Sequence, residues 1–202
     1  MAKRADFVES RRNTRRNQIF KGAVKVLADK GYHSATTQEI ADAAGLAKGT
    51  VYEYVKNKED ILLLVMEEGL SMLKNDINKI FEKTDDPRER LKQLILVQLK
   101  FAKKYKDSAK VVLHEVNNLT GDGRKMFLEQ ENELVEITRS VIDDGIKRGY
   151  FKKINSRLAA ELFEHASKFY FDYGNSPYHK STLNEISDFI LSNYLRAILV
   201  DE

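Results

Sequence analysis

Apolar residues recur every three to four positions along most of the chain, and only two prolines, Pro87 and Pro177, interrupt this pattern. Because an α-helix repeats every 3.6 residues and a strand every two, the spacing predicts helices and no sheet. Proline disrupts a helix interior, so a chain with so few prolines is able to form long helices. The sequence therefore predicts an all-α protein.

Capping residues and glycines indicate where these helices begin and end. Thr36 and Glu39 have the spacing of a capping box, and Gly45 is the turn residue expected after that helix. Asp86 and Pro87 form a second helix start. The expected helices cover approximately residues 15–30, 36–44, 48–55, 57–81, 86–105, 108–119, 123–148, 156–173 and 182–199. Breaks are expected at Gly31, Gly149, Gly174 and Pro177.

The composition excludes several classes of protein. The 202 residues are 42% hydrophobic, enough for a core, and include no cysteine, which rules out disulfides and thiolate chemistry. No apolar run approaches the ~20 residues of a membrane-spanning helix, and the basic N-terminus lacks the apolar stretch of a signal peptide. We therefore expect a cytoplasmic protein with no membrane contact.

Positive charge is concentrated in the first third of the chain. Residues 1–58 carry 12 Lys or Arg and 6 Asp or Glu, whereas the remainder carries 22 and 25. A basic segment followed by a mildly acidic body indicates that the N-terminal segment meets a polyanion.

Residues 35–60 contain two short helical patterns separated by a glycine turn and preceded by a longer helix. This order is typical of a helix-turn-helix, whose second helix fits the major groove of DNA, about 12 Å wide. We expect a DNA-binding domain over residues 1–58, with a basic arm at 1–13, and a larger helical domain over residues 59–202. The expected small core of the motif is Ile40, Ala41, Ala44, Leu46, Val51 and Val55.

Polar residues of the second helix would then face outward. Gly49 lets the backbone approach DNA, Thr50 reaches a base edge or a thymine methyl group, and Tyr52 offers an apolar ring with a hydroxyl. Lysines and helix N-terminal amides bind phosphates. Taken alone, the Lys and Tyr cluster would also fit a solvated helix face. The predicted DNA contacts are Thr36, Thr37, Lys48, Gly49, Thr50, Tyr52, Tyr54 and Lys58.

A family resemblance is carried by residues 14–63, TRRNQIFKGAVKVLADKGYHSATTQEIADAAGLAKGTVYEYVKNKEDILL. This segment closely resembles the N-terminal DNA-binding domain of the TetR/AcrR family of bacterial transcriptional regulators. The resemblance implies that Thr37 contacts a phosphate and that Lys58 anchors a further phosphate. It also implies that the reading surface is presented by Lys48, Gly49, Thr50, Tyr52 and Tyr54. Two positions depart from the family pattern, since Ala47 replaces a common serine and Val55 the usual phenylalanine. One phosphate hydrogen bond and some packing would be lost.

Four arginines, Arg11, Arg12, Arg15 and Arg16, cluster near the N-terminus. They suit an arm that enters the minor groove, as basic arms do in other DNA-binding proteins. A disordered basic tail is the alternative.

The C-terminal part resembles the family less closely. The stretch GIKRGYFKKINSRLAAELF, residues 145–163, resembles the segment before the dimerising helices of members that respond to acyl-CoA or other hydrophobic effectors. A helical core rich in apolar side chains also favours a lipophilic effector. For the two polar candidates, His114 and Asn117, an exposed helix face is the alternative. The candidate pocket residues are Phe101, His114, Asn117, Leu134, Phe163 and Phe169.

Two apolar stripes near the C-terminus have helical spacing. Two such stripes from each protomer would make a four-helix bundle between protomers. The alternative is that they complete the core of one protomer, and the family resemblance favours a homodimer. The predicted interface residues are Leu158, Leu162, Ile186, Ile190, Tyr194 and Ala197.

The residues HEVNN at 114–118 differ by one residue from a zinc-protease pattern, because Asn118 stands in place of the second histidine. The sequence contains no recognisable nucleophile, metal or phosphate-loop constellation. We expect no metal, no cofactor and no enzymatic activity.

These features predict a homodimeric transcriptional regulator, most simply a repressor that occupies double-stranded palindromic operator DNA until a small-molecule effector binds. The competing hypotheses are an effector-independent structural or division-control protein on DNA, and a helical enzyme.

Overall fold

A computed structural model describes residues 2–116, 119, 121–173 and 181–200 of the chain. These residues form nine α-helices and an isolated antiparallel bridge between Phe151 and Leu199, which confirms the predicted all-α class. The helices are α1 (Ala2–Ser34), α2 (Thr37–Ala44), α3 (Lys48–Tyr52), α4 (Lys58–Phe81), α5 (Pro87–Lys104), α6 (Lys106–Val116), α7 (Gly121–Lys147), α8 (Ser156–Tyr173) and α9 (Leu183–Ile198).

The first helix differs from its prediction at both ends. It begins at Ala2, so residues 2–13 are helical, and neither an extended arm nor a disordered tail is found there. The sequence has no glycine or proline before Gly22 that would break a helix. Gly31, the predicted end, has φ 74 and ψ 174 and kinks the helix, which continues to Ser34.

The third helix is shorter than predicted, because it ends at Tyr52 and not at Val55. Past this point the chain tightens into a turn, in which the N–H of Tyr54 donates to the carbonyl of Val51 at 2.9 Å.

The chain divides into two compact units. The N-terminal unit contains Met1–Ser71 and Asp107–Phe127, and the C-terminal unit contains Met72–Lys106 and Leu128–Glu202. The predicted boundary after residue 58 therefore does not coincide with a unit boundary. The first half of α4, α6 and the start of α7 all lie with the helix-turn-helix.

Close backbone packing and an ion-pair cluster hold the N-terminal unit together. A Cβ atom placed on Gly22 of α1 would lie 2.6 Å from the carbonyl oxygen of Ile40 and 2.8 Å from the nitrogen of Ala44. The glycine therefore allows α2 to approach α1 closely. Arg16 connects α1 to α4 through ion pairs with Glu67 and Glu68, each at 2.6 Å.

The core of the C-terminal unit is formed by α5, α7, α8, α9 and the end of α4. Phe151 packs so closely on Gly145 that a Cβ atom there would lie 2.1 Å from its ring. Next to it, the ring of Tyr150 lies 4.6 Å from the guanidinium carbon of Arg88 and 5.1 Å from that of Arg148. Side chains at the centre of this core include Leu91, Leu94, Ile95, Leu99, Ile142, Ala160, Phe163 and Leu191.

Candidate nucleic-acid interface

Reciprocal hydrogen bonds fix the N-terminus of α2. The hydroxyl oxygen of Thr36 accepts a bond from the N–H of Glu39 at 3.2 Å, and the Glu39 carboxylate accepts one from the N–H of Thr36 at 3.0 Å. Lys30 of α1 donates to the same carboxylate at 2.5 Å. Lys30 and Thr36 together lower the pKa of Glu39 to about 2. The cap leaves Thr36 exposed and Thr37 half-buried.

A left-handed glycine makes the turn between the two helices. Gly45 has φ 65 and ψ 35, a conformation that favours glycine, and the next N–H, of Leu46, donates to the carbonyl of Ala41 at 2.9 Å. Leu46 is only half-buried, in contrast to the other members of the predicted small core. Those that are buried as predicted are Ile40, Ala41, Ala44, Val51 and Val55.

The reading face predicted on α3 lies at the surface. Lys48 and Gly49 are exposed, Tyr52 is 47% exposed, and Thr50 and Tyr54 are half-buried. The Lys48 ammonium lies 5.8 Å from the centre of the Tyr52 ring. Buried Val51 fixes the opposite side of the short helix, so the exposed face combines a positive charge, an aromatic ring and accessible backbone.

Lys58, at the start of α4, has partners that the sequence did not reveal. Its ammonium donates to the carbonyl of His33 at 2.7 Å and lies 4.7 Å from the centre of the Tyr32 ring. The side chain therefore satisfies a carbonyl at the C-terminal end of α1, where a cation is favoured. As far as the described residues show, two of its three N–H donors are left for other ligands.

A basic groove lies between α1 and the reading helix. It has a volume of about 570 Å³, and its walls include Thr50, Glu53 and Tyr54. The four arginines that the sequence marked as an arm line the same groove, on a helix and not on an extended chain. They are Arg11, Arg12, Arg15 and Arg16.

The candidate effector residues are scattered between the two units. Phe163 is fully buried in the core of the C-terminal unit, and Phe101 and Leu134 pack against that core. His114 lies in the N-terminal unit, and its side chain is 79% exposed. This position agrees with the alternative given above, an exposed helix face instead of a pocket wall. Asn117 lies outside the described residues, and for Phe169 only the backbone, within α8, is described.

Beside the three apolar candidates lies a buried polar cluster that sequence reasoning missed. The amide of Gln98 donates to both carboxylate oxygens of Glu164, each at 3.1 Å, and the hydroxyl of Thr138 donates to one of them at 2.5 Å. All three residues are at least nine-tenths buried. The available signal was Gln98 at a helical core position within the apolar run LILVQLKFA, residues 94–102.

Only part of the predicted dimer stripe is on the surface. Leu158 and Leu162 on α8 are 53% and 60% exposed, as an interface requires. Ile186 is buried within the protomer, and Tyr194 packs against Phe163 and donates to the carbonyl of Ala159 at 2.8 Å.

The rest of the α9 stripe is divided. Ile190 is half-buried against the protomer core, whereas Ala197 is exposed, as an interface requires. The exposed aromatic residue of this helix is Phe189, at 72%, which the sequence stripe did not include. Both sides of α9 thus carry apolar residues, and the assignment of Ile190 and Ala197 to the dimer interface stays a prediction.

Within the described part of the chain, no group of three or more His, Cys, Asp or Glu residues is arranged to hold a metal ion. No helix in that part is long and apolar enough to cross a membrane.

The capped α2, the left-handed turn and the exposed reading face define a helix-turn-helix DNA-binding protein. Two family models match the chain, together over more than half of its length. "Bacterial regulatory proteins, tetR family" matches residues 19–65, and "Tetracyclin repressor-like, C-terminal domain" matches residues 84–166. The chain belongs to the TetR family, and it is a DNA-binding transcriptional regulator.

Similar proteins include a regulator named for fatty acid metabolism and a transcriptional repressor. The fatty acid metabolism regulator protein of Bacillus subtilis strain 168 is 29% identical over 146 residues, 72% of this chain and 75% of that protein. The transcriptional repressor KstR2 of Mycobacterium tuberculosis is 26% identical over 148 residues, 73% of this chain and 74% of that protein. The structure of FadR from Bacillus subtilis with stearoyl-CoA has a TM-score of 0.75 at 24% identity, covering 88% of this chain and 96% of that one.

Proposed function

We propose that this regulator is a homodimeric repressor whose affinity for operator DNA is lowered by an acyl-CoA. The DNA-binding part of the proposal is carried by one observation, the exposed face of α3. This helix follows α2, which begins with a capping box and ends at the left-handed Gly45. The effector part is supported by the apolar core of the C-terminal unit and by the stearoyl-CoA named for the FadR structure. We further propose that the protein acts by binding and not by catalysis, in the cytoplasm.

The DNA contacts follow from exposure and chemistry. Thr36 and Thr37 lie at the N-terminus of α2, where free N–H groups favour a phosphate. Thr50 and Tyr52 are placed to reach base edges, whereas Lys48 is free to neutralise a phosphate. We propose that Lys58 binds the His33 carbonyl at the end of α1 and also contacts a phosphate through its remaining N–H donors. The other proposed contacts are Gly49 and Tyr54.

We propose that the dimer forms through α8 and α9 of two protomers. Leu158, Leu162 and Phe189 are large apolar side chains exposed to solvent in the single chain, and a second copy would cover them. In a dimer suited to a palindromic operator, the two reading helices lie about 34 to 36 Å apart, one turn of DNA.

We place the effector in the C-terminal unit, with its acyl chain against Phe101, Leu134 and Phe163. The polar part of the ligand would meet the cluster of Gln98, Thr138 and Glu164, since the side-chain oxygen of Gln98 is buried without a hydrogen-bond partner among the described residues. An acyl-CoA carries amide N–H and hydroxyl donors in its pantetheine part, and such donors suit an acceptor of this kind.

Titrating the protein with palmitoyl-CoA in the presence and absence of its operator tests the proposal. The operator is first selected from a random duplex library with the full-length protein. Palmitoyl-CoA is expected to lower operator affinity about 5- to 150-fold, and by linkage the operator must lower palmitoyl-CoA affinity by the same factor. Specific DNA binding that no acyl-CoA alters would favour the alternative, an effector-independent structural or division-control protein. If the library yields no preferred sequence, the regulator proposal itself is wrong.

A further inference from the structure

We propose that the arginines of α1 seat a phosphate of the operator backbone in the groove beside α3, so that α1 acts as a second DNA-contacting helix. This inference rests on the proposed function and adds a site to it. The ligand is a phosphodiester of duplex DNA, and the residues that bind it are Arg11, Arg12 and Arg15.

Spacing places these three guanidinium groups on one face of α1. Arg11 and Arg15 are four residues apart and Arg12 and Arg15 three apart, so their side chains are neighbours on the helix surface. All three line the groove of about 570 Å³ whose other wall contains Thr50 and Tyr54 of the reading region. A strand whose bases meet α3 therefore has positive charge beside it.

The fourth arginine of the groove is already engaged. Arg16 forms ion pairs with both Glu67 and Glu68, and its pKa is raised by these carboxylates against the effect of burial. Among the described residues, Arg15 makes only a hydrogen bond to the neutral amide of Gln18, at 3.0 Å. In the described part of the chain, neither Arg11 nor Arg12 has an ion-pair partner. The groove thus has one structural arginine and three with charge available to a ligand.

The shape of α1 decides between the phosphate backbone and the minor groove. The minor groove of B-DNA is about 6 Å wide, whereas an α-helix with its side chains is about 10 to 12 Å across. Because residues 2–13 are helical, they do not fit as an inserted arm. With the minor groove excluded, contact with the DNA phosphate backbone remains. Arginine suits this contact, because it binds phosphate oxygens through two parallel N–H donors. Glu53 lies in the same groove and repels a phosphate, which therefore lies toward the arginines.

The test compares the double variant Arg11→Gln/Arg12→Gln with the control Lys92→Gln/Lys100→Gln, which removes two exposed charges from α5. Affinity is measured on the selected operator and on a 30-bp mixed-sequence duplex at several NaCl concentrations. Each lost phosphate contact should reduce the slope of log K against log salt by about 0.9, equivalent to about fivefold in affinity near 0.15 M salt. Because Arg11 and Arg12 share one proposed phosphate, the double variant should lose about fivefold in affinity on both duplexes, and the control should match the wild type.

Three outcomes overturn the inference while leaving the regulator proposal intact. The first is an unchanged salt slope in the double variant. The second is a loss confined to duplexes with A·T-rich flanks, which would indicate minor-groove contacts. The third is a loss of palmitoyl-CoA affinity without DNA, which would assign the groove to the phosphates of a free ligand. If wild-type protein selects no operator, the proposed function fails instead.

Discussion

The exposed face of α3 and the buried polar cluster of the C-terminal unit place their polar groups in opposite ways. In the N-terminal unit, Lys48 and Tyr52 are exposed on α3, and the neighbouring apolar side chains of Val51 and Val55 are buried. In the C-terminal unit, the carboxylate of Glu164 is buried and accepts bonds from Gln98 and Thr138. Burying such a group is costly unless it is well hydrogen-bonded.

This difference corresponds to two kinds of ligand. DNA is a large polyanion that stays outside the protein, so its contacts need exposure and positive charge. A small molecule is enclosed, and a few buried polar groups fix its orientation within apolar walls. DNA contacts are therefore identified among the exposed residues of the N-terminal unit, whereas the proposed effector contacts are identified among the buried residues of the C-terminal unit.

The largest expected effect concerns the exposed leucines of the C-terminal unit. They are an exception to this contrast because their proposed partner, a second protomer, binds at the surface. Leu162→Glu places a charge in the proposed dimer contact, where it would lose its hydration. We expect monomers in sedimentation and operator affinity at least 100-fold lower, because the second half-site no longer contributes. The matched control is Leu128→Glu, at a leucine 49% exposed on α7. A Leu162→Glu protein that remains dimeric would show that the interface lies elsewhere.

The second prediction concerns packing in the N-terminal unit. Gly22→Ala forces a methyl group against the backbone of α2, and overpacking of this kind costs up to roughly 3 kcal/mol. The control is Gly49→Ala, where nothing lies within 4 Å and added helix propensity should keep stability equal or slightly higher. Denaturation at fixed protein concentration measures both. Equal stabilities would mean that α1 and α2 separate at no cost.

Sequence reasoning succeeded where the signals are local. The capping box of Thr36 and Glu39 and the turn at Gly45 depend on residues close in the chain, so α2 was predicted correctly. The end of α3 at Tyr52 was missed, since no breaking residue marks it.

The failures concern contacts between distant residues. Gln98 and Glu164 are 66 positions apart, and no periodic pattern brings them together. Likewise, α9 carries apolar residues on two faces, and only packing decides that Ile186 is buried while Phe189 is exposed. The arginines were recognised as basic, but the place of Arg11 and Arg12 beside Thr50 depends on α1 beginning before the predicted start at residue 15.

The third prediction tests whether the buried carboxylate needs its donors. Thr138→Val keeps the shape of the side chain but removes the hydroxyl that donates to Glu164, and we expect a loss of roughly 2 kcal/mol in unfolding free energy. In the control Ser140→Ala, the lost hydroxyl donates to a carbonyl of its own helix, that of Ile137, and has no other partner in the described part of the chain. The change should therefore be within about 0.5 kcal/mol. A variant more stable than wild type would indicate that the network is replaceable by apolar packing.

The smallest effect concerns a motif that the two units share. Thr36 and Glu39 cap α2, and Thr182 and Glu185 cap α9 with the same reciprocal hydrogen bonds. Hydrogen bonds from Thr182 lower the pKa of Glu185. The pKa of Glu39 is lowered by the ammonium of Lys30 on α1 and by hydrogen bonds from Thr36. If the units differ in how distant residues pack and not in their local capping, Thr36 and Thr182 should stabilise α2 and α9 by equal amounts.

Thr36→Ala and Thr182→Ala should therefore each cost about 1 kcal/mol of local helix stability, measured by hydrogen exchange of the α2 and α9 amides. Their pH dependence has a defined sign. Glu39 titrates at about 2 in the folded protein and at 4.5 ordinarily, so its stabilisation is complete above pH 4.5 and disappears as the pH falls toward 2. Lys30→Met should raise the pKa of Glu39 and narrow this window, as carboxylate NMR titration would report. A much larger loss for Thr36→Ala than for Thr182→Ala would show that the cap of α2 also holds it on α1, so that even this local motif differs between the two units.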